Sequence, residues 1–71
     1  MIRSLGFMVG AGMLREGAVL QNTHSSYTVR EKEEGIFLRH DKSNREYPVC
    51  IKNLHWKFKL IYEGEEDGLW E

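Results

Sequence analysis

The sequence predicts an all-β fold: a single small barrel, or a strongly twisted antiparallel meander of four or five strands. Two observations carry this expectation. Turn-forming residues recur at short intervals from Gly17 onward, as in a chain of hairpins. Residues 27–32 and 56–62 alternate their side chains with the two-residue period of a strand. Apolar spacing of helical type is approached only in residues 1–14, where Gly6, Gly10 and Gly12 each weaken a helix by about 1 kcal/mol relative to alanine. Five short strands cannot make two full sheets, so one sheet curled on itself is the economical solution.

Residues 1–16 read as an apolar N-terminal arm or first strand. They hold all three methionines, and no acidic residue precedes Glu16. Leu5, Phe7, Met8, Val9 and Met13 make the arm too apolar to remain in water, so it is expected to cover this domain's core or a neighbour's.

Residues 17–62 form the expected barrel core. Residues 18–21 are a strand closed by Asn22-Thr23-His24-Ser25-Ser26, whose side chains stabilise turns by bonding nearby backbone. Residues 27–32 place Tyr27, Val29 and Glu31 on one side and Thr28, Arg30 and Lys32 on the other. Glu33-Glu34-Gly35 supplies a tight turn, and residues 36–40 return with Ile36 and Leu38 inward. Asp41-Lys42-Ser43-Asn44 has aspartate, serine and asparagine where β-turns favour them, and so joins a hairpin.

The returning strand, residues 45–52, points Tyr47, Val49 and Ile51 one way and Pro48 and Cys50 the other. Proline cannot donate to a ladder, which puts this strand at an edge or a bulge. Asn53-Leu54-His55 is a short crossing. Residues 56–62 then set Trp56, Phe58, Leu60 and Tyr62 on a core face, with Lys57, Lys59 and Ile61 opposite. Residues 63–71 form an acidic C-terminal tail. This order of short strands is similar to that of SH3-like domains, a likeness of architecture for which the chain carries no family motif.

At 71 residues and 8.3 kDa the chain is one small domain. A fold of about 60 residues buries only about 60 % of its unfolded surface, and one cysteine cannot make an internal disulfide. Self-association is therefore expected to supply part of the stability. The longest apolar stretch, residues 5–14, is about half of the roughly 20 residues needed to span a bilayer, so no membrane partner is expected. A secretion signal is not expected either, because Arg15 and Glu16 follow that stretch at once and no Ala-x-Ala site is present. Cys50, between Val49 and Ile51, reads as a buried and reduced small hydrophobe, which favours a cytoplasmic protein.

The net charge of −1 hides a division. Residues 1–62 carry ten basic and six acidic side chains, whereas residues 63–71 carry five acidic and none basic. The basic residues are densest between Arg39 and Lys59. A solvated surface explains such runs; an acidic tail folding onto a basic face or partner is the sharper alternative.

No metal, cofactor or catalytic residue is expected. His24, His40, Cys50 and His55 stand 16, 10 and 5 residues apart, without the close ligand pairs of a structural zinc site. His24 and His40 fall at turns or strand ends, where solvated histidines are common. His24-Ser25-Ser26 sets hydroxyls beside an imidazole in sequence, but a catalytic triad is defined by spatial roles. The glycines make neither a dinucleotide-binding fingerprint nor a phosphate-binding loop, and a domain this small has little room for an enzyme pocket of about 300–1,000 Å³.

The expected function is that of a small non-enzymatic protein–protein interaction module, an accessory or inhibitory subunit of bacterial or phage type. Its partner would be another protein or a second copy of the chain. Leu5, Phe7, Met8 and Met13 would give the apolar contact, and the edge strand at Pro48 the backbone contact. Leu69 and Trp70 would give an anchor after the acidic run, unless Trp70 folds back on its own domain. The alternative is a single-stranded nucleic-acid binder, with Arg39, Lys42, Arg45, Lys57 and Lys59 near Phe37, Tyr47 and Trp56. A pI of about 6.3 weighs against it.

Overall fold

The turns form where side chains can stand in for missing backbone partners. Asn22 Oδ1 accepts the N–H groups of His24 at 2.9 Å and Ser25 at 2.8 Å, closing the first hairpin. Asn44 takes the left-handed conformation (φ 60°) that ends the turn after His40, a region asparagine tolerates better than most residues. The resulting computed structural model describes residues 2–64. It contains β1 (Ile2–Ser4), α1 (Leu5–Gly10), β2 (Val19–Gln21), β3 (Ser26–Lys32), β4 (Gly35–His40), β5 (Glu46–Pro48), a single 3₁₀ turn (Ile51–Asn53) and β6 (Lys57–Tyr62).

The strands make one antiparallel sheet in the order β1-β6-β2-β3-β4-β5. The small all-β fold and the β2-to-β5 meander are as expected. There are six strands, one more than foreseen, because β1 pairs outside β6 with Arg3 opposite Phe58. The ladder ends at β1 on one side and β5 on the other, and no ladder joins these two among the described residues. Pro48 thus lies on an edge strand, where a residue without an N–H is tolerated.

The inner face carries Leu20, Val29, Leu38 and Phe58, one from each of four adjacent strands, all buried. Leu5, Met8, Leu14 and Ala18 close over them, and Ile36, Val49, Trp56 and Leu60 pack at the margin.

The N-terminal segment begins with a strand, one of its two expected forms, but continues as a helix, which was not expected. Ser4 caps α1: its Oγ accepts the Phe7 N–H at 3.1 Å. At the other end Gly12 adopts φ 69°, the Gly12 N–H reaches Val9 O and the Met13 N–H reaches Met8 O, which is a Schellman termination. Gly12 therefore stops the helix from outside and does not weaken its interior. Six residues could not hold a helix by propensity alone; burial of Leu5 and Met8 holds it. The arm covers this domain's own core.

Three readings between β5 and β6 need correction. β5 ends at Pro48, so the expected alternation stops there and Ile51 begins the 3₁₀ turn, 87 % exposed instead of inward. Cys50 is exposed as well, since it precedes that turn on the outside of the fold. Tyr62 was expected on the core face but is 55 % exposed. The cause is a bulge: Leu20 lies opposite Leu60 while Val19 lies opposite Tyr62, so Ile61 is an extra residue and Tyr62 is carried to the outer side with Val19.

Candidate functional site

The loop end of the sheet is organised by His40. Its Nε2 lies 2.9 Å from Ser25 Oγ, and its Nδ1 lies 3.2 Å from the Ser43 N–H donor and 3.1 Å from Ser43 Oγ. A backbone N–H aimed at Nδ1 makes that nitrogen the acceptor, so Nε2–H donates to Ser25. His40 is thus a half-buried tie between residues 22–25 and 41–45, where a solvated histidine was expected.

Beside this tie, Tyr27 sits edge-on to His40, Phe58 and Tyr47 at 5.1, 5.4 and 6.3 Å, and Trp56 sits edge-on to Tyr47 and Phe58 at 6.2 and 6.5 Å. These are the T-shaped distances at which aromatic rings attract. Two grooves open at this end and share Asn22. One, of about 260 Å³, is lined by Asn22, Tyr27, Trp56, Lys57 and Phe58. The other, of about 330 Å³, is lined by residues 21–26 with Asp41 and Lys42.

At the opposite end Glu16 continues the ladder after β2 has run out. Its Oε1 accepts the Glu31 N–H at 2.6 Å and its Oε2 pairs with Arg30 Nε at 2.9 Å. The Glu31 N–H, with the Arg30 guanidinium behind it, holds the Glu16 carboxyl below the usual glutamate range. Lys32 bonds Glu46 across β3 and β5 and lowers its pKa likewise; the same ammonium lies 5.0 Å from the Phe37 ring centre. These contacts fasten the sheet.

The outer face near β1 carries unpaired apolar side chains. Ile2 (65 % exposed) lies opposite Lys59, and Ile61 (51 % exposed) stands two residues further along β6, beside Tyr62. Diagonal neighbours on a sheet face lie about 7–8 Å apart, which sets Ile61 beside Ile2; Tyr62 follows on β6, and Lys57 and Lys59 stand next to Ile2.

Of the residues singled out for protein contact, Leu5 and Met8 are fully buried in the core, where no partner reaches them. Met13 is half-buried against that core, and Phe7 is exposed on α1 with the Arg3 guanidinium 4.7 Å from its ring centre. Pro48 is exposed on the edge, but its carbonyl accepts Asn53 Nδ2 at 2.8 Å. Lacking an N–H as well, it offers a partner strand only the second lone pair of that carbonyl. Leu69 and Trp70 lie outside the described residues. Among the basic residues, Lys57 and Lys59 share the outer face of β6, Lys42 and Arg45 lie in the turn after β4, and Arg39 stands opposite Glu46 on β4. They form no single cluster.

The sequence reading passed over Ile2 and set Tyr62 on the core face. Ile61 it did place opposite the core, in the run Lys57-x-Lys59-x-Ile61, but without drawing an interface from it. Among the described residues no group of three His, Cys, Asp or Glu side chains could hold a metal ion, and no helix is long and apolar enough to cross a membrane. Comparison with protein-family models, with curated proteins and with solved structures returns no match.

Proposed function

We propose that this chain is a small non-enzymatic protein-interaction module, an accessory or inhibitory subunit of bacterial or phage type that works in the cytoplasm. Its contact surface is the outer face of β1 and β6. The observation that carries this reading is the group Ile2, Ile61 and Tyr62, three large apolar side chains more than half exposed on the paired strands β1 and β6. Single exposed hydrophobes are ordinary, whereas a contiguous group with a polar rim marks an interaction site. The rim here is basic, which suits a partner with an acidic border and speeds its encounter. The β1 edge beside the patch is the open end of the ladder and also suits a second copy of the chain.

The test is a photo-crosslinking residue at position 61, compared with one at Glu33 in the β3–β4 turn, in cells that make the protein. A discrete protein adduct from position 61, or a dimer of this chain, with none from position 33, is the expected result. Equal, diffuse labelling from both positions overturns the reading.

A further inference from the structure

We propose that the loop end of the sheet is a second site, which binds single-stranded nucleic acid by seating a base against Trp56 and Tyr27. This goes beyond the protein-contact reading and shares with it only Lys57, at the start of β6. The fold sorts charge along the strands. The loops after β2 and β4 and the start of β6 bring Lys42, Arg45 and Lys57 to one end, where the carboxylates are Asp41 and, at the start of β5, Glu46. Asp41 Oδ1 already accepts the Thr28 hydroxyl at 3.2 Å. At the far end Glu16, Glu31, Glu33, Glu34 and Glu63 outnumber Arg15, Arg30 and Lys32. This separation is invisible in the near-neutral whole chain and is what a polyanion would meet.

Two grooves open at the basic end. The first is lined by the half-buried rings of Tyr27 and Trp56 above the buried Phe58, with Asn22 and Lys57 beside them. The second carries hydroxyls from Ser25 and Ser26 and the Lys42 ammonium, with Asp41 beside them. They share Asn22, so a base seated in the first groove lies next to the second. Trp56 is held edge-on by Tyr47 and Phe58, so its indole is already ordered and a base need not position it. Aromatic platforms beside basic grooves bind unpaired bases with little sequence preference, whereas a base locked in a duplex cannot enter.

The experiment is fluorescence anisotropy of a labelled oligothymidine of about 12 nucleotides, titrated with the full chain at about 20 mM and about 200 mM salt. Binding that weakens steeply with salt is expected. Lys42→Glu with Lys57→Glu, both exposed and remote from the core, should weaken it by about tenfold or more. Trp56→Leu should also cost about tenfold, with circular dichroism confirming the fold. The proposal is overturned if no binding occurs at low salt, if a duplex of equal length binds as tightly, or if the double lysine variant binds unchanged.

Discussion

Asn53 ties the Pro48 end of β5 to the 3₁₀ turn that follows it. Its Nδ2 donates to the Pro48 carbonyl at 2.8 Å while its Oδ1 accepts the Cys50 N–H at 2.9 Å, and it is the buried polar residue among those described. One amide thus pins the chain as it leaves β5 and starts the 3₁₀ turn. Asn53→Ala leaves both backbone groups without their partner, at a cost of about 1–3 kcal/mol. Urea unfolding should show a lower midpoint with an unchanged slope, since the surface exposed on unfolding stays the same.

Two glycines should respond in opposite directions. Gly64 has φ 88°, and a Cβ there would lie 2.9 Å from Ala18 N and Glu16 O, backbone atoms that cannot move aside cheaply. Gly64→Ala should lose about 1–3 kcal/mol. Gly10 ends α1 with no atom within 4 Å of such a Cβ. Gly10→Ala should gain about 0.4–1 kcal/mol by restricting the unfolded chain. Thermal unfolding of the two variants side by side checks both signs.

The meander was legible because its turns are chemical: Asn22, the Glu33-Glu34-Gly35 turn and Asn44 each stop a strand where the residue types say they should. The helix was less legible. Gly6, Gly10 and Gly12 were weighed as interior penalties, although Ser4 and Gly12 stand at the spacing of an N-cap and a C-terminal stop around six residues. Tyr62 could not be placed from alternation, because a bulge inserts one residue and reverses the face after Leu60. The outer patch was hidden for the same reason, since it joins residues from both ends of the described chain.

Stability should fall in acid through Glu16 and Glu46. Both carboxyls are held below their ordinary range in the fold, Glu16 by the Glu31 N–H and Arg30, Glu46 by Lys32. The unfolded chain therefore takes up protons first as pH falls, and their contribution, complete above the ordinary glutamate value of about 4.3, is lost as pH drops through the lowered folded values. Both groups are solvent-accessible, so the loss is modest. Glu16→Gln should flatten the slope of unfolding free energy against pH below about 4.5, measured by urea titration at successive pH values.

Cys50 should react with a thiol reagent in the native protein. It is exposed before the 3₁₀ turn, and no unfolding is needed to reach it. Stoichiometric labelling without denaturant, at a rate close to that in urea, is the expected result; protection in the native state would put Cys50 inside the fold.

Core and contact surface can be separated by a pair of substitutions. Leu5 is fully buried, so Leu5→Ala leaves a cavity and should cost about 2–5 kcal/mol. Removing residues 1–13 would be worse, since it takes Met8 from the core as well, and a partner lost by that truncation would say nothing about an interface. Ile61 points to solvent from the bulge of β6, so Ile61→Lys should change stability by no more than about 0.5 kcal/mol. If the outer face is the contact surface, that variant keeps its unfolding midpoint and loses its partner, or loses self-association by sedimentation equilibrium. Retained association at unchanged stability would move the contact away from β6.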